Sequence, residues 1–186
     1  PYYGPLGGIS DEQFDKIMAT NIKSNLWLAN LAIPGMAERG GGTVTIISSI
    51  GGIRGSSILG AYGISKAADF ALARALAVEW GPKGIRTVAI APGPFPTAGA
   101  SQRLTPGGGD SVVDREIPLR RNGEHIELAN LAAFLLSDLA SYITGECIAI
   151  DGGKQFMSDA GSRTVELMNW TEEDWARMRA QATSKR

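Results

Sequence analysis

The chain has 186 residues, 44% apolar and 20% charged, with a formal net charge of -1: enough for one domain with a sizeable core, and too balanced for disorder or a general affinity for nucleic acid. Its single cysteine, Cys147, excludes an internal disulfide and fits a reducing, cytoplasmic setting. No run of about 18 apolar residues could span a bilayer, and the opening "PYYGPLGG" lacks the layout of a signal peptide, so no membrane partner is expected.

In "ISDEQFDKIM", Ser10 and Gln13 form the reciprocal capping pattern of a helix start. Phe14, Ile17, Met18, Ile22, Leu26 and Leu28 then recur at roughly helical period. Pro34 is expected to kink or interrupt this long helix, and Gly40 to Gly42 to end it. "TVTIIS", Thr43 to Ser48, is β-branched without polar alternation and predicts a strand buried on both faces, hence a parallel sheet. Gly60 to Gly81 reads as a second helix stopped at Gly81-Pro82, and "IRTVAIA", Ile85 to Ala91, as a second buried strand. The stretch from Pro94 to Glu116 is loop-like, a length that often covers a site. "EHIELANLAAFLLSD" gives a third helix, "ECIAIDGG" a third strand with Cys147 as a small buried side chain, and Thr171 starts a last helix. His125, the only histidine, lies near a helix start; histidine triads and multi-histidine metal sites are excluded and no metal is expected.

Alternating helix and strand predict an α/β fold, a Rossmann-like doubly wound parallel sheet with flanking helices. Residues 1–186 are read as a single domain, with 154–186 a C-terminal extension. Ser48-Ser49, Pro92-Gly93 and Asp151-Gly152-Gly153 each follow a strand directly, so they should gather at one rim, where such sheets bind ligands. Asp151 is expected to brace its turn.

Tyr62 and Lys66, at i and i+4 near the start of a helix, share one face, and Ser49 lies thirteen residues before the tyrosine. A cation one helical turn from a phenol favours its ionised form, which suits proton transfer near neutrality. A serine hydroxyl at the end of the preceding strand can hydrogen-bond a substrate oxygen meanwhile. The set fits interconversion of a carbonyl and an alcohol with a hydride partner.

On these residues the chain resembles the classical short-chain dehydrogenase/reductase family over most of Ile9 to Gly153. The resemblance implies catalytic roles for Asn21 of "ATNIKS", Ser49, Tyr62 and Lys66: Tyr62 as acid/base, Ser49 orienting the substrate carbonyl, Lys66 also holding the nicotinamide ribose, and Asn21 keeping a water that links Lys66 to solvent. "APGPFPT" is similar to the family's Pro-Gly segment, which implies cofactor contacts at Pro92, Gly93, Phe95 and Thr97 besides Tyr62 and Lys66. The implied cofactor is NADP or NAD, with NADP placed first. The implied substrate is a small carbonyl or alcohol, or an acyl-CoA thioester.

"GPFPTAGASQRL", the segment from "IPLRRNGEHIELANL" to "IAIDGG" and the "TEEDW" tail look like the 2,4-dienoyl-CoA reductase branch, in which Arg103, Arg120 and Arg121 would be candidates to meet a CoA phosphate. Mammalian members of that branch place their tyrosine where this chain has Gly51. The family's long helices form a dimer interface, implying a homodimer or homotetramer through the small-residue face Ala67, Ala71, Ala75 and Val78.

The family's Gly-rich phosphate loop and first strands have no counterpart here: no Gly-x-Gly-x-x-Gly occurs in the chain. The expectation is a catalytic and substrate-binding half whose adenosine-binding half lies upstream. Alternatives are a truncated, non-catalytic oligomerisation fragment and, third, a sugar-nucleotide epimerase. No basic patch interleaved with aromatics suggests a nucleic-acid partner.

Overall fold

The computed structural model describes residues 6–56, 59–97, 117–157 and 170–183. Helix α1, Asp11–Met18, begins at the predicted capping box: Ser10 Oγ accepts from the Gln13 backbone N–H and Gln13 Oε1 from that of Ser10, both at 3.2 Å. The helix then widens into a π turn, Ala19–Lys23, and continues as α2, Ser24–Glu38. Pro34 stays inside α2 and does not end it. The one hydrogen bond a proline removes is outweighed by burial of Ala29 and Ile33 against the sheet. The irregularity falls instead at Ala19–Lys23, about three to four turns before Pro34, at a place with no proline or glycine.

Strands β1 (Gly42–Ile47), β2 (Ile85–Pro92) and β3 (Cys147–Ile150) form a parallel sheet in that order. Gly42 pairs with Ile85 through Ile47 with Ile90, and Ala89 with Cys147 through Pro92 with Ile150. Helix α3 (Gly60–Trp80) connects β1 to β2; α4 (His125–Leu136) precedes β3, and α5 (Glu172–Thr183) follows the sheet. Alternate residues of β2 feed two cores. Ile85 and Ala89 pack with Ala29, Ile33, Ala73 and Leu76 from α2 and α3, while Val88 and Ile90 pack with Leu135 of α4 and Ala140. The Rossmann-like layering is therefore present, with helices on both faces of a parallel sheet.

Expected to be buried on both faces, β1 is only partly covered among the described residues. Only Ile46 is buried, Ile47 is 51% exposed, and β1 is an edge strand among the described residues. Central β2 has the fully buried character instead. Its Arg86 reaches across to α4 and the turn beyond, donating to the carbonyls of Leu135 (2.9 Å), Ser137 (3.0 Å) and Ile143 (3.2 Å), so one guanidinium satisfies orphan acceptors at a helix end.

Candidate active site

All three strand ends meet at one rim. Ser48 N–H donates to Ile90 O at 2.7 Å, and Gly93 N–H to Ile150 O at 2.9 Å. Asp151 braces its turn as expected, Oδ1 accepting from Gly153 N–H (2.9 Å) and Oδ2 from Gln155 N–H (2.6 Å).

Beyond β1 the chain turns sharply at Ser49, whose hydroxyl accepts from Gly51 N–H at 3.0 Å and caps the short turn Ile50–Gly52. This turn is pressed against the first turns of α3. A Cβ at Gly52 would lie 2.6 Å from the Ala67 nitrogen, and one at Gly63 2.7 Å from Gly51 O, so neither position accepts a side chain without moving backbone. A Cβ at Gly51 would lie 3.3 Å from Tyr62 Cε1 and 3.4 Å from Ser49 Oγ. Ser49 and Tyr62 thus flank the same small space. It has little room for a side chain at 51, where the dienoyl branch places its tyrosine.

The Lys66 ammonium lies 6.0 Å from the centre of the Tyr62 ring. It donates to Ile47 O at 3.0 Å and to Asp69 Oδ2 at 3.1 Å. Ser48 Oγ holds the Lys66 carbonyl at 2.7 Å, so the strand end and the helix are locked together. Asn21 sits in the π turn. Its amide donates to Ser65 Oγ (2.9 Å), whose hydroxyl donates in turn to Tyr62 O (2.7 Å). Asn25 Nδ2 donates to both Asn21 O and Asp69 Oδ1, each at 2.8 Å. Asn21, Lys66 and the backbone carbonyl of Tyr62 are therefore joined through Asn25, Ser65 and Asp69 in a hydrogen-bonded network, while Ser49 stands outside it, bonded to Gly51 N–H.

Asn25 and Asp69 were not among the expected residues, although a signal existed. Ala61, Ser65, Asp69, Ala73, Leu76 and Ala77 are the buried positions of α3. Asp69 thus stands as the one charged residue among the buried positions of α3, where a carboxylate needs a partner.

Pro92 closes β2, and Gly93 lies where a Cβ would fall 2.6 Å from Asp151 Cβ. Phe95 is half-buried against Gly123, whose N–H donates to Pro94 O at 3.0 Å; Thr97 is exposed at the end of the described segment. Pro92 and Gly93 therefore share the rim, while Phe95 packs toward the turn before α4.

Of the arginines considered for a CoA phosphate, Arg121 is held by Glu127 in a bidentate pair at 2.6 and 2.7 Å. Those bonds hold the Glu127 carboxyl down at about 2. Arg103 lies outside the described residues. Burial pushes the Cys147 thiol up to about 11. Among the described residues no cluster of His, Cys, Asp or Glu converges as a metal site, and no helix is long and apolar enough to cross a membrane.

Residues 2–155 match the family model described as Enoyl-(Acyl carrier protein) reductase. A tropinone reductase homolog of Arabidopsis thaliana is 42% identical over 142 residues, covering 76% of this chain and 55% of the relative. Dehydrogenase/reductase SDR family member 4 of Sus scrofa is 35% identical over 153 residues, 82% of this chain and 55% of the relative. Among solved structures, a short-chain type dehydrogenase/reductase from Mycobacterium ulcerans superimposes with a TM-score of 0.77 at 32% identity, covering 84% of this chain and 57% of that one. A 7α-hydroxysteroid dehydrogenase complexed with NADH and 7-oxo glycochenodeoxycholic acid gives 0.76 at 30% identity, covering 81% and 58%. The chain spans about 55% of the length of these curated relatives.

Proposed function

The chain belongs to the short-chain dehydrogenase/reductase family, and on that footing we propose that its protein interconverts a small carbonyl compound and the corresponding alcohol with a nicotinamide cofactor. The observation that carries this reading is the meeting of Ser49 and Tyr62 around Gly51, with the Lys66 ammonium 6.0 Å from the tyrosine ring.

The donor set fits a nicotinamide ribose. Lys66 commits two of its three N–H donors to Ile47 and Asp69, which leaves one for a diol at the rim beside the Tyr62 hydroxyl. Pro92, Gly93, Phe95 and Thr97 would lie along the nicotinamide side. The cofactor, when bound, supplies or accepts the hydride. In the reductive direction the carbonyl carbon gains that hydride, and Tyr62 delivers the proton to the oxygen. Ser49 donates a hydrogen bond to the oxygen as negative charge grows on it. Lys66 would hold its positive charge beside Tyr62 while the proton moves, and Asn21 would keep a water that links Lys66 to solvent.

Tyr62→Phe in the intact protein should lower turnover by about a hundredfold or more with the fold retained. Unchanged turnover removes the mechanism. NADP is placed ahead of NAD, a choice that comparative titration of NADPH and NADH settles. An acyl thioester substrate is the narrower variant, in keeping with the family description. Arg121 would serve it poorly, being engaged by Glu127.

The exposed small-residue face of α3, Ala67, Ala71 and Ala75 with Val78 at 81% exposure, supports a homodimer or homotetramer. That face also supports a second reading, an oligomerisation module without activity. Measuring mass and cofactor binding on the same sample separates the two.

A further inference from the structure

Asp69 is fully buried on α3, yet it is a carboxylate, and both of its oxygens are engaged: Oδ1 by Asn25 Nδ2 at 2.8 Å and Oδ2 by Lys66 Nζ at 3.1 Å. A charge in that position is costly unless paired and hydrogen-bonded. An apolar residue would fill the same layer of α3, which continues with Ala73 and Leu76. The carboxylate therefore needs a reason beyond packing, and its neighbours supply one. Lys66 is only 12% exposed, and its flexible four-carbon stem gives the ammonium many rotamers unless it is anchored.

We propose that Asp69, held by Asn25, is a positioning residue that fixes the Lys66 ammonium for the cofactor ribose and for Tyr62. Asp69 Oδ2 and Ile47 O take two of the three ammonium protons from the core side, so the third is directed at the rim. Asn25 divides its amide between Asp69 and the Asn21 carbonyl, which couples the orientation of the lysine to the π turn that carries Asn21. The inference rests on the proposed function, since it assigns Asp69 a duty toward the site read there.

The test uses the intact protein with NADPH and NADH as binding probes and a small aromatic α-diketone as the carbonyl. Asp69→Asn keeps the shape and removes the charge. It should weaken binding of the preferred cofactor and lower kcat, each by about tenfold, with KM for the diketone within about twofold. In a Lys66→Met background the same substitution should change cofactor affinity by less than about twofold, because the group it acts on is gone. Asn25→Ala keeps both charges and should shift affinity and kcat the same way by about threefold; if Asp69→Asn does not fold, this variant decides. A folded variant that melts at lower temperature but binds cofactor and turns over like the parent makes Asp69 merely structural and overturns the proposal, as does an effect of Asp69→Asn that persists in full without Lys66. Tyr62→Phe, run in parallel, reads the proposed function separately: if it keeps full turnover the catalytic reading fails, while the affinity cycle between positions 66 and 69 still judges this one.

Discussion

The two faces of β2 are built by different rules. Toward α2 and α3, the apolar cluster around Ala29, Ile33 and Leu76 shares its layer with the buried polar side chains Ser65 and Asp69, and these lead to Lys66 and Tyr62. Toward α4, Val88, Ile90, Leu135 and Ala140 form an apolar contact, with the charge of Arg86 spent on backbone carbonyls. The first face accepts the desolvation of a carboxylate in exchange for a defined lysine, while the second is organised for stability alone. A core can thus be read for function by asking where it tolerates a polar group that packing does not require.

The largest effect is expected where that polarity is broken on one side only. Asp69→Leu leaves the Lys66 ammonium and the Asn25 amide without their shared acceptor and should cost about 4 kcal/mol, in the range for half of a buried pair. Adding Lys66→Met to it should recover most of that loss in urea unfolding while cofactor affinity stays low. A double variant as unstable as the single one would mean that the carboxylate serves the fold and would erase the contrast between the faces. On the apolar side, Leu135→Ala should cost about 3 kcal/mol through lost burial and a cavity, with cofactor affinity unchanged. Arg86→Ala removes three hydrogen bonds, two to the end of α4 and one to Ile143 beyond it, and should cost about 2 kcal/mol, again read by unfolding.

How much of this was legible in the sequence follows from range. The Ser10–Gln13 capping box and the glycine-punctuated strand ends depend on residues within a few positions of each other, and they appear as expected. The parallel sheet followed from the alternation of helix and strand, and the rim followed from the groups placed directly after each strand. The π turn at Ala19–Lys23 was not legible, because its partners lie far along the chain: Asn21 meets Ser65, 44 residues away, and just after the turn Asn25 meets Asp69 at the same separation. Pro34 carried the stronger local signal for a break, yet burial of Ile33 held that part of α2 helical. β1 and β2 read alike because both are β-branched and unalternating. Among the described residues β2 has a strand on each side and β1 on one, and their burial differs accordingly.

The smallest effect sharpens the comparison at β3, where Cys147 borders the cluster of Ala29 and Ile33 from a partly open position. Burial is the main cause that raises its thiol to about 11; Arg74 opposes the rise, and Glu146 and Asp69 add to it. The thiolate is the reacting form, so alkylation by iodoacetamide at pH 8 should run about a hundredfold slower than for a free thiol and keep rising beyond pH 9. Because the folded value lies above the unfolded one, the folded state holds this proton more tightly. Its contribution to stability is complete below about pH 9 and is lost as pH rises toward about 11. Cys147→Ser should remove that alkaline slope from urea midpoints without touching cofactor affinity. A thiol that alkylates at the ordinary rate at pH 8 would mean that water reaches this end of the cluster. The face carrying the lysine–carboxylate pair would then be less dry than its hydrogen bonds require, and the contrast with the α4 face would weaken where the site depends on it most.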